Sequence, residues 1–259
     1  MSKTKRALCV ALLILGLLCS LTSFADVSFD GTDDLLSTAG SYNLSSFTGL
    51  TVSGWAYLTD FSGGKNVILA LGSFNTAADI TFMLRSNDAT AIRWAISDGT
   101  TLNNLTFTTS TQSLNTWYHY LATWDGTNAS VWWNGILVST ESSGIVTSLT
   151  NTAFTMYIAN EGATSTTLAG SLTDVRLWPV KLSDQEIQSL ALSRLANIGV
   201  RTPSSAWPLD DCGAGASGNA VGFVDRGGNS RTMTGDNGAN DTGLTCQGSQ
   251  ILNYEWGPQ

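Results

Sequence analysis

The strongest constraint on the fold lies between Trp117 and Ser139. The aromatic-rich run Trp117–Trp124 is joined to Ala129–Trp133 by Asp125-Gly126-Thr127-Asn128, and Asn134-Gly135 then leads into Ile136–Ser139. Asp-Gly and Asn-Gly readily adopt the positive backbone angles of a tight hairpin, so three consecutive segments must run antiparallel in a closely fixed register. Within Trp117–Trp124, alternate side chains face opposite sides of the strand. Aromatic residues occur at both parities, which predicts a strand covered by core on one side and by loops on the other.

The same short runs, separated by Gly, Asn, Asp, Ser and Thr, extend from Asp26 to Trp178. Further strands are predicted at 27–29, 50–58, 67–72, 80–84, 92–97, 105–108, 154–159 and 170–178. Abundant Thr suits them, because branching at Cβ favours a pleated surface. One helix is predicted near 183–195: Ser183 and Glu186 form a capping-box pattern, and Ile187, Leu190 and Leu192 or Leu195 give an apolar stripe. After Arg201-Thr202-Pro203 the composition shifts to Gly, Asn and Asp. The expected organisation is therefore a sandwich over 26–200 and a tail over 201–259 that packs on, or completes, it.

Residues 1–25 read as a cleaved secretory signal. Lys3, Lys5 and Arg6 precede an apolar run from Ala7 to Leu21, and Ser23-Phe24-Ala25 supplies the small-residue site. Cleavage removes three of the 12 basic residues and none of the 20 acidic ones, leaving a net charge of -11. The expected product is secreted, extracellular or periplasmic, with no membrane insertion after cleavage. Its acidity argues against nucleic acid as a partner. Cleavage also removes Cys9 and Cys19, leaving Cys212 and Cys246 to form one expected disulfide, worth roughly 3 to 4 kcal/mol.

The ordered pieces Phe29-Asp30-Gly31, Leu50-Thr51-Val52-Ser53-Gly54-Trp55, Trp117-Tyr118-His119, Trp124-Asp125-Gly126-Thr127, Trp133-Asn134-Gly135 and Leu168 to Trp178 resemble the laminin-G-like and pentraxin-like group. The resemblance implies an all-β, antiparallel two-sheet jelly-roll sandwich of the concanavalin A type. Trp207-Pro208-Leu209-Asp210 and Val224-Asp225-Arg226-Gly227-Gly228-Asn229 look like a further signature of related secreted proteins, here at the C-terminal end. The tail is too short for a second sandwich, which favours a strand returning to the first over a truncated second copy.

Members of the resembled group often bind calcium at one sandwich edge and use that edge to contact sugars, phosphorylated heads or proteins. Calcium needs about six to eight oxygen donors. The resemblance points to Asn160 and Glu161 as ligands and to Asp79 as a third, although Ala77-Ala78 departs from the acidic and amide pattern. Asp33-Asp34 is a second carboxylate pair, whereas turn geometry alone accounts for Asp125 and Asn134. Trp94, Trp132 and Trp256 are candidate stacking platforms for sugar rings, and one of Trp132 and Trp133 is expected to be exposed.

Enzymatic signatures are missing. A multi-histidine metal centre is excluded because His119 is the single His. It lies inside an aromatic strand, with no Gly-x-Ser-x-Gly motif elsewhere. No Glu-x-Asp-x-x-Glu strand signals a glucan hydrolase, which would need two carboxyl groups about 5 to 9.5 Å apart. The sequence therefore predicts a non-enzymatic module that binds carbohydrate or a cell-surface or extracellular protein, with calcium as a possible aid. A structural or protein-interaction module of a cell envelope or assembly is the alternative.

Overall fold

Alternation along the predicted strands resolves into two antiparallel sheets packed face to face. The computed structural model describes residues 24–62, 66–162, 167–192, 200–209, 222–227, 231–236 and 245–250. The first sheet runs in the order β10 (Ile136–Glu141), β9 (Ala129–Trp133), β8 (Trp117–Trp124), β3 (Leu50–Leu58), β12 (Ala169–Trp178), β1 (Phe24–Asp30) and β16 (Thr245–Gln250). β12 also pairs with β13 (Ser205–Trp207), so its free edge is shared between two short partners. The second sheet runs β14 (Gly222–Phe223), β15 (Met233–Asp236), β2 (Leu35–Tyr42), β11 (Phe154–Ala159), β4 (Asn66–Gly72), β5 (Ile80–Asp88), β6 (Ala91–Ser97) and β7 (Leu102–Thr108). This is the expected jelly-roll sandwich.

The core lies between the sheets, where burying apolar side chains contributes about 25 cal/mol per Å². β8 supplies Tyr118, Tyr120, Ala122 and Trp124 to it, and the facing sheet supplies Ile68, Phe82, Leu84, Trp94 and Ile158. Gly54 sets the spacing of the two layers. A Cβ there would lie 2.7 Å from Ile68 Cγ2 of the opposite sheet, so a larger residue would force the layers apart.

The other face of β8 is closed by a helix rather than by loops alone. α1 (Asp184–Leu192) lays Ile187 and Leu190 over Leu121, Trp132, Trp178 and Leu182. Its start has the expected capping box: the Ser183 N–H donates to Glu186 Oε2 at 2.8 Å, and the Glu186 N–H donates back to Ser183 Oγ at 3.4 Å. The buried stripe is Ile187, Leu190 and Ala191; Leu192 is exposed, and Leu195 lies outside the described residues.

The two turns of the meander differ in construction. Asn134 and Gly135 both have positive φ, 51° and 79°, and form the two-residue hairpin their sequence predicts. The Asp125–Asn128 connection is a wider loop held by a carboxylate. Asp125 Oδ1 accepts from the N–H groups of Thr127 and Asn128 at 3.1 and 2.7 Å, and Lys181 Nζ donates to Oδ2 at 2.8 Å. Burial pushes this carboxyl upward, but Lys181 and the loop donors hold it well below the usual range.

In the tail, Asp225 organises the backbone. Its Oδ1 accepts from the N–H groups of Ala206 and Gly227, and its Oδ2 from that of Arg231, at 2.7 to 2.8 Å. The Trp207 indole then donates to the Arg231 carbonyl at 2.7 Å. Residues 1–23, Cys212 and Trp256 lie outside the described residues, as does the Cys212–Cys246 disulfide expectation. The backbone of Cys246 pairs with Val27. Among the described residues, no helix is long and apolar enough to cross a membrane.

Candidate functional site

The outer face of the second sheet carries a cavity of about 400 Å³, built where β2, β11 and the β4–β5 loop meet. Gly72 makes the loop possible. It has φ 97°, and a Cβ there would come within 2.3 Å of the Asp79 carbonyl oxygen. The chain returns on itself through the Ser73 N–H donating to the Asp79 carbonyl at 2.9 Å. Thr76 Oγ1 donates to Asp79 Oδ2 at 2.7 Å, and Ser97 Oγ ties the Ala77 carbonyl to β6 at 2.6 Å. The loop thus holds Ser73, Asn75 and Asp79 at the cavity, opposite Ser41 of β2 and Thr155 and Tyr157 of β11.

Asn160 and Glu161 lie beside this cavity. Gly162 has φ 76°, and a Cβ there would meet both the Tyr157 ring and Ser73 Oγ at 2.8 Å, so the turn after β11 presses against the cavity wall. Both side chains are buried, with Asn160 1% and Glu161 4% exposed. The negative charge of Glu161 acts on Arg85, opposing the burial and the neighbouring Arg93 that together pull the Arg85 guanidinium down to about 10. Of the three ligand positions expected from the sequence, Asp79 lines the cavity, and Asn160 and Glu161 sit on the adjoining turn. Their carboxylate and amide oxygens are of the donor type that a hard cation such as calcium takes.

A second acidic group lies in the β1–β2 connection. Carboxylate oxygens of Asp30, Asp33 and Asp34 all come within 4.8 Å of one another, with Asp34 buried and Asp30 exposed. Loop geometry accounts for part of this: the Asp30 N–H donates to Asp34 Oδ2, and the Thr32 N–H to Asp30 Oδ1, both at 2.7 Å. The sequence pattern picked out Asp33 and Asp34 but not the third member.

The tryptophans require a correction. Trp94 is fully buried in the inter-sheet core, its ring 5.9 Å from that of Phe82. Trp132 is 5% exposed and lies under α1, while Trp133 turns inward to within 4.9 Å of the Tyr118 ring. Neither Trp94 nor Trp132 presents a face to a sugar, because Trp94 points into the inter-sheet core and Trp132 lies beneath α1. The outward-facing aromatic at the cavity is instead Tyr157, whereas Phe154 packs toward the inter-sheet core. A tyrosine on an outward strand position beside hydroxyl and amide residues was the available signal.

His119 has no catalytic setting. It lies on the outer face of the first sheet, 1% exposed, with its ring 5.2 Å from that of Trp55. Burial, reinforced by the Arg176 charge, pushes its pKa down to about 3, so it is neutral near pH 7.

The family model described as the concanavalin A-like lectin/glucanases superfamily matches residues 30–188. A search of curated proteins finds no match. Among solved structures, the chain is similar to the native heptameric SAP-like pentraxin from Limulus polyphemus, with a TM-score of 0.57 and 14% identity over 91% of this chain and 99% of that one. It is also similar to a candidate carbohydrate-binding protein from Bacteroides ovatus ATCC 8483, with a TM-score of 0.60 and 16% identity over 90% of this chain and 61% of that one. At these identities the likeness is one of fold.

Proposed function

The chain belongs to the concanavalin A-like lectin/glucanases superfamily, and from that premise we propose that it is an exported, non-enzymatic module that binds carbohydrate at the cavity on the outer face of its second sheet. The observation that carries the reading is the composition of that cavity. Ser41, Ser73, Asn75, Asp79 and Thr155 offer hydroxyl, amide and carboxylate partners, and Tyr157 supplies an aromatic side chain. Sugar recognition needs this mixture, since hydroxyls demand directional hydrogen bonds while the apolar face of a pyranose ring packs on an aromatic side chain. The Bacteroides ovatus neighbour, whose description names carbohydrate binding, supports the same reading.

Hydrolysis fits the cavity poorly. A glycosidase places two carboxyl groups across the scissile bond, and Asp79 is the one carboxylate among the described lining residues. Calcium enters the proposal as an aid at the Asn160–Glu161 turn, with Asp79 across the adjoining loop. The alternative, a structural or protein-interaction module, draws support from Ile136 and Leu137, 60% and 45% exposed on edge strand β10.

The test is a glycan array probed with the mature protein, with and without calcium, alongside Tyr157→Ala and Glu161→Gln. Saturable binding that Tyr157→Ala weakens about tenfold or more is expected, the loss of one stacked aromatic contact being worth that much. A calcium requirement that Glu161→Gln abolishes would place the cation at the turn. A folded protein that captures no glycan would overturn the reading in favour of the interaction module.

A further inference from the structure

Arg85 and Arg93 stand directly opposite each other on β5 and β6. Their chain neighbours Leu84, Ile92 and Trp94 point into the inter-sheet core, so both arginines occupy the outer face. It is the same face that carries the cavity. Like charges at directly opposed positions destabilise a strand pair, and no other described register pair in the molecule joins two basic residues. The pair also stands out in a chain with 20 acidic and only 12 basic residues.

The two charges are not neutralised by contact. Among the described residues the ion pairs involve Arg176, Lys181 and Arg201, and neither Arg85 nor Arg93 makes one. Arg85 is 4% exposed; its Nη2 donates to Asn87 Oδ1 at 3.2 Å, and its guanidinium carbon lies 5.8 Å from the centre of the Phe74 ring. Nε of Arg85 and Nε of Arg93 are both buried without an acceptor. Glu161 favours the charged form of Arg85 from a distance, but one carboxylate against two guanidinium groups leaves a net positive charge. Arg93 is only partly buried, which leaves an approach from solvent.

We infer that Arg85 and Arg93 form an oxyanion-binding site that receives the carboxylate, sulfate or phosphate group of an acidic ligand. The planar fork of arginine matches the oxygens of such groups and is weakly hydrated, which suits a partly buried position. An oxyanion bridging the two groups would supply the missing acceptors and relieve their repulsion. Phe74 connects this site to the cavity, because it lies between Ser73 and Asn75, which line the cavity, while its ring faces Arg85. The inference deepens the carbohydrate reading and rests on it for the ligand class. An acidic sugar would place its ring by Tyr157 and its anionic group by the arginines.

The test is NMR of the arginine Nε–H signals in the mature protein, titrated at constant ionic strength with inorganic sulfate, glucuronate or glucose. Saturable shifts of the Arg85 and Arg93 signals with sulfate and glucuronate, but not glucose, are expected. Arg93→Gln should weaken the Arg85 response about tenfold or more, as loss of a charge-assisted hydrogen bond implies, while Arg93→Lys restores part of it. Absence of a saturable shift, or an equal response in Arg93→Gln, would overturn the site. A response to sulfate alone would assign it to free inorganic anions and remove the acidic sugar. Because the arginine signals are read separately from glycan capture, the site stands if sulfate and glucuronate shift them while the array stays blank. It fails by itself if neutral glycans bind and the arginines stay silent.

Discussion

The outer faces of the two sheets have opposite finishes. On the first, α1 lies over Leu121, Trp132 and Trp178, Trp55 lies beside His119, and Arg176 is tied to Asp174 by a buried ion pair at 2.6 Å. On the second, an apolar patch of Val67, Ala70, Ile80, Met83 and Ala95 is covered by Phe74 and Leu102. Beside it stand a polar cavity and two arginines that have no ion-pair partner among the described residues. The difference follows from connectivity. The chain after β12 supplies a helix to the first sheet, whereas the β4–β5 connection gives the second a short loop whose hydroxyl, amide and carboxylate groups remain at the cavity. A face sealed by a helix contributes stability, and a face edged by a loop leaves room for a ligand.

The sharpest break in that comparison is Trp132→Ala. It removes the largest side chain that β9 places under α1 and should cost about 3 to 5 kcal/mol in chemical denaturation, the usual range for truncating a buried tryptophan. Glycan and sulfate responses should survive at temperatures where the variant is folded. Parallel loss of both would show that the two faces do not act separately.

Acid should act on the same sealed face with a smaller effect. Folded His119 has a pKa of about 3, whereas the unfolded chain has one near 6.5. Between these values the unfolded chain holds a proton that the folded chain lacks. Stability therefore falls as pH drops below about 6.5, by on the order of 3 kcal/mol at pH 4 from this group. His119→Gln should flatten that part of the slope in denaturant titrations from pH 7 to 4. An unchanged slope would place the acid sensitivity in the carboxylates.

Much of the sandwich was legible because turn chemistry and alternation agree over 117–139 and because the capping box marks α1. β2 was not, since Leu35–Tyr42 sends few apolar side chains inward and contains Gly40; its place comes from pairing with β11 and β15. The tail strands are short, and their neighbours in the sheets position them. The candidate site was half legible. Asp79 and the Asn160–Glu161 turn adjoin the cavity, but Ser41, Asn75 and Tyr157 come from separate stretches that only the sheet order brings together. Trp132 misled because alternation tells which residues share a face and not whether a helix covers it, and Trp94 because alternation alone does not say which face is the core. The Arg85–Arg93 pair depends on register, which a reading of each strand alone does not supply.

The most direct measurement is backbone NMR mapping of the mature protein with its strongest array glycan. The expected result is a set of perturbations centred on Ser41, Asn75, Thr155 and Tyr157, with α1 and β10 unaffected. Perturbations centred on α1 or on Ile136 and Leu137 would contradict the account and place binding on the first sheet.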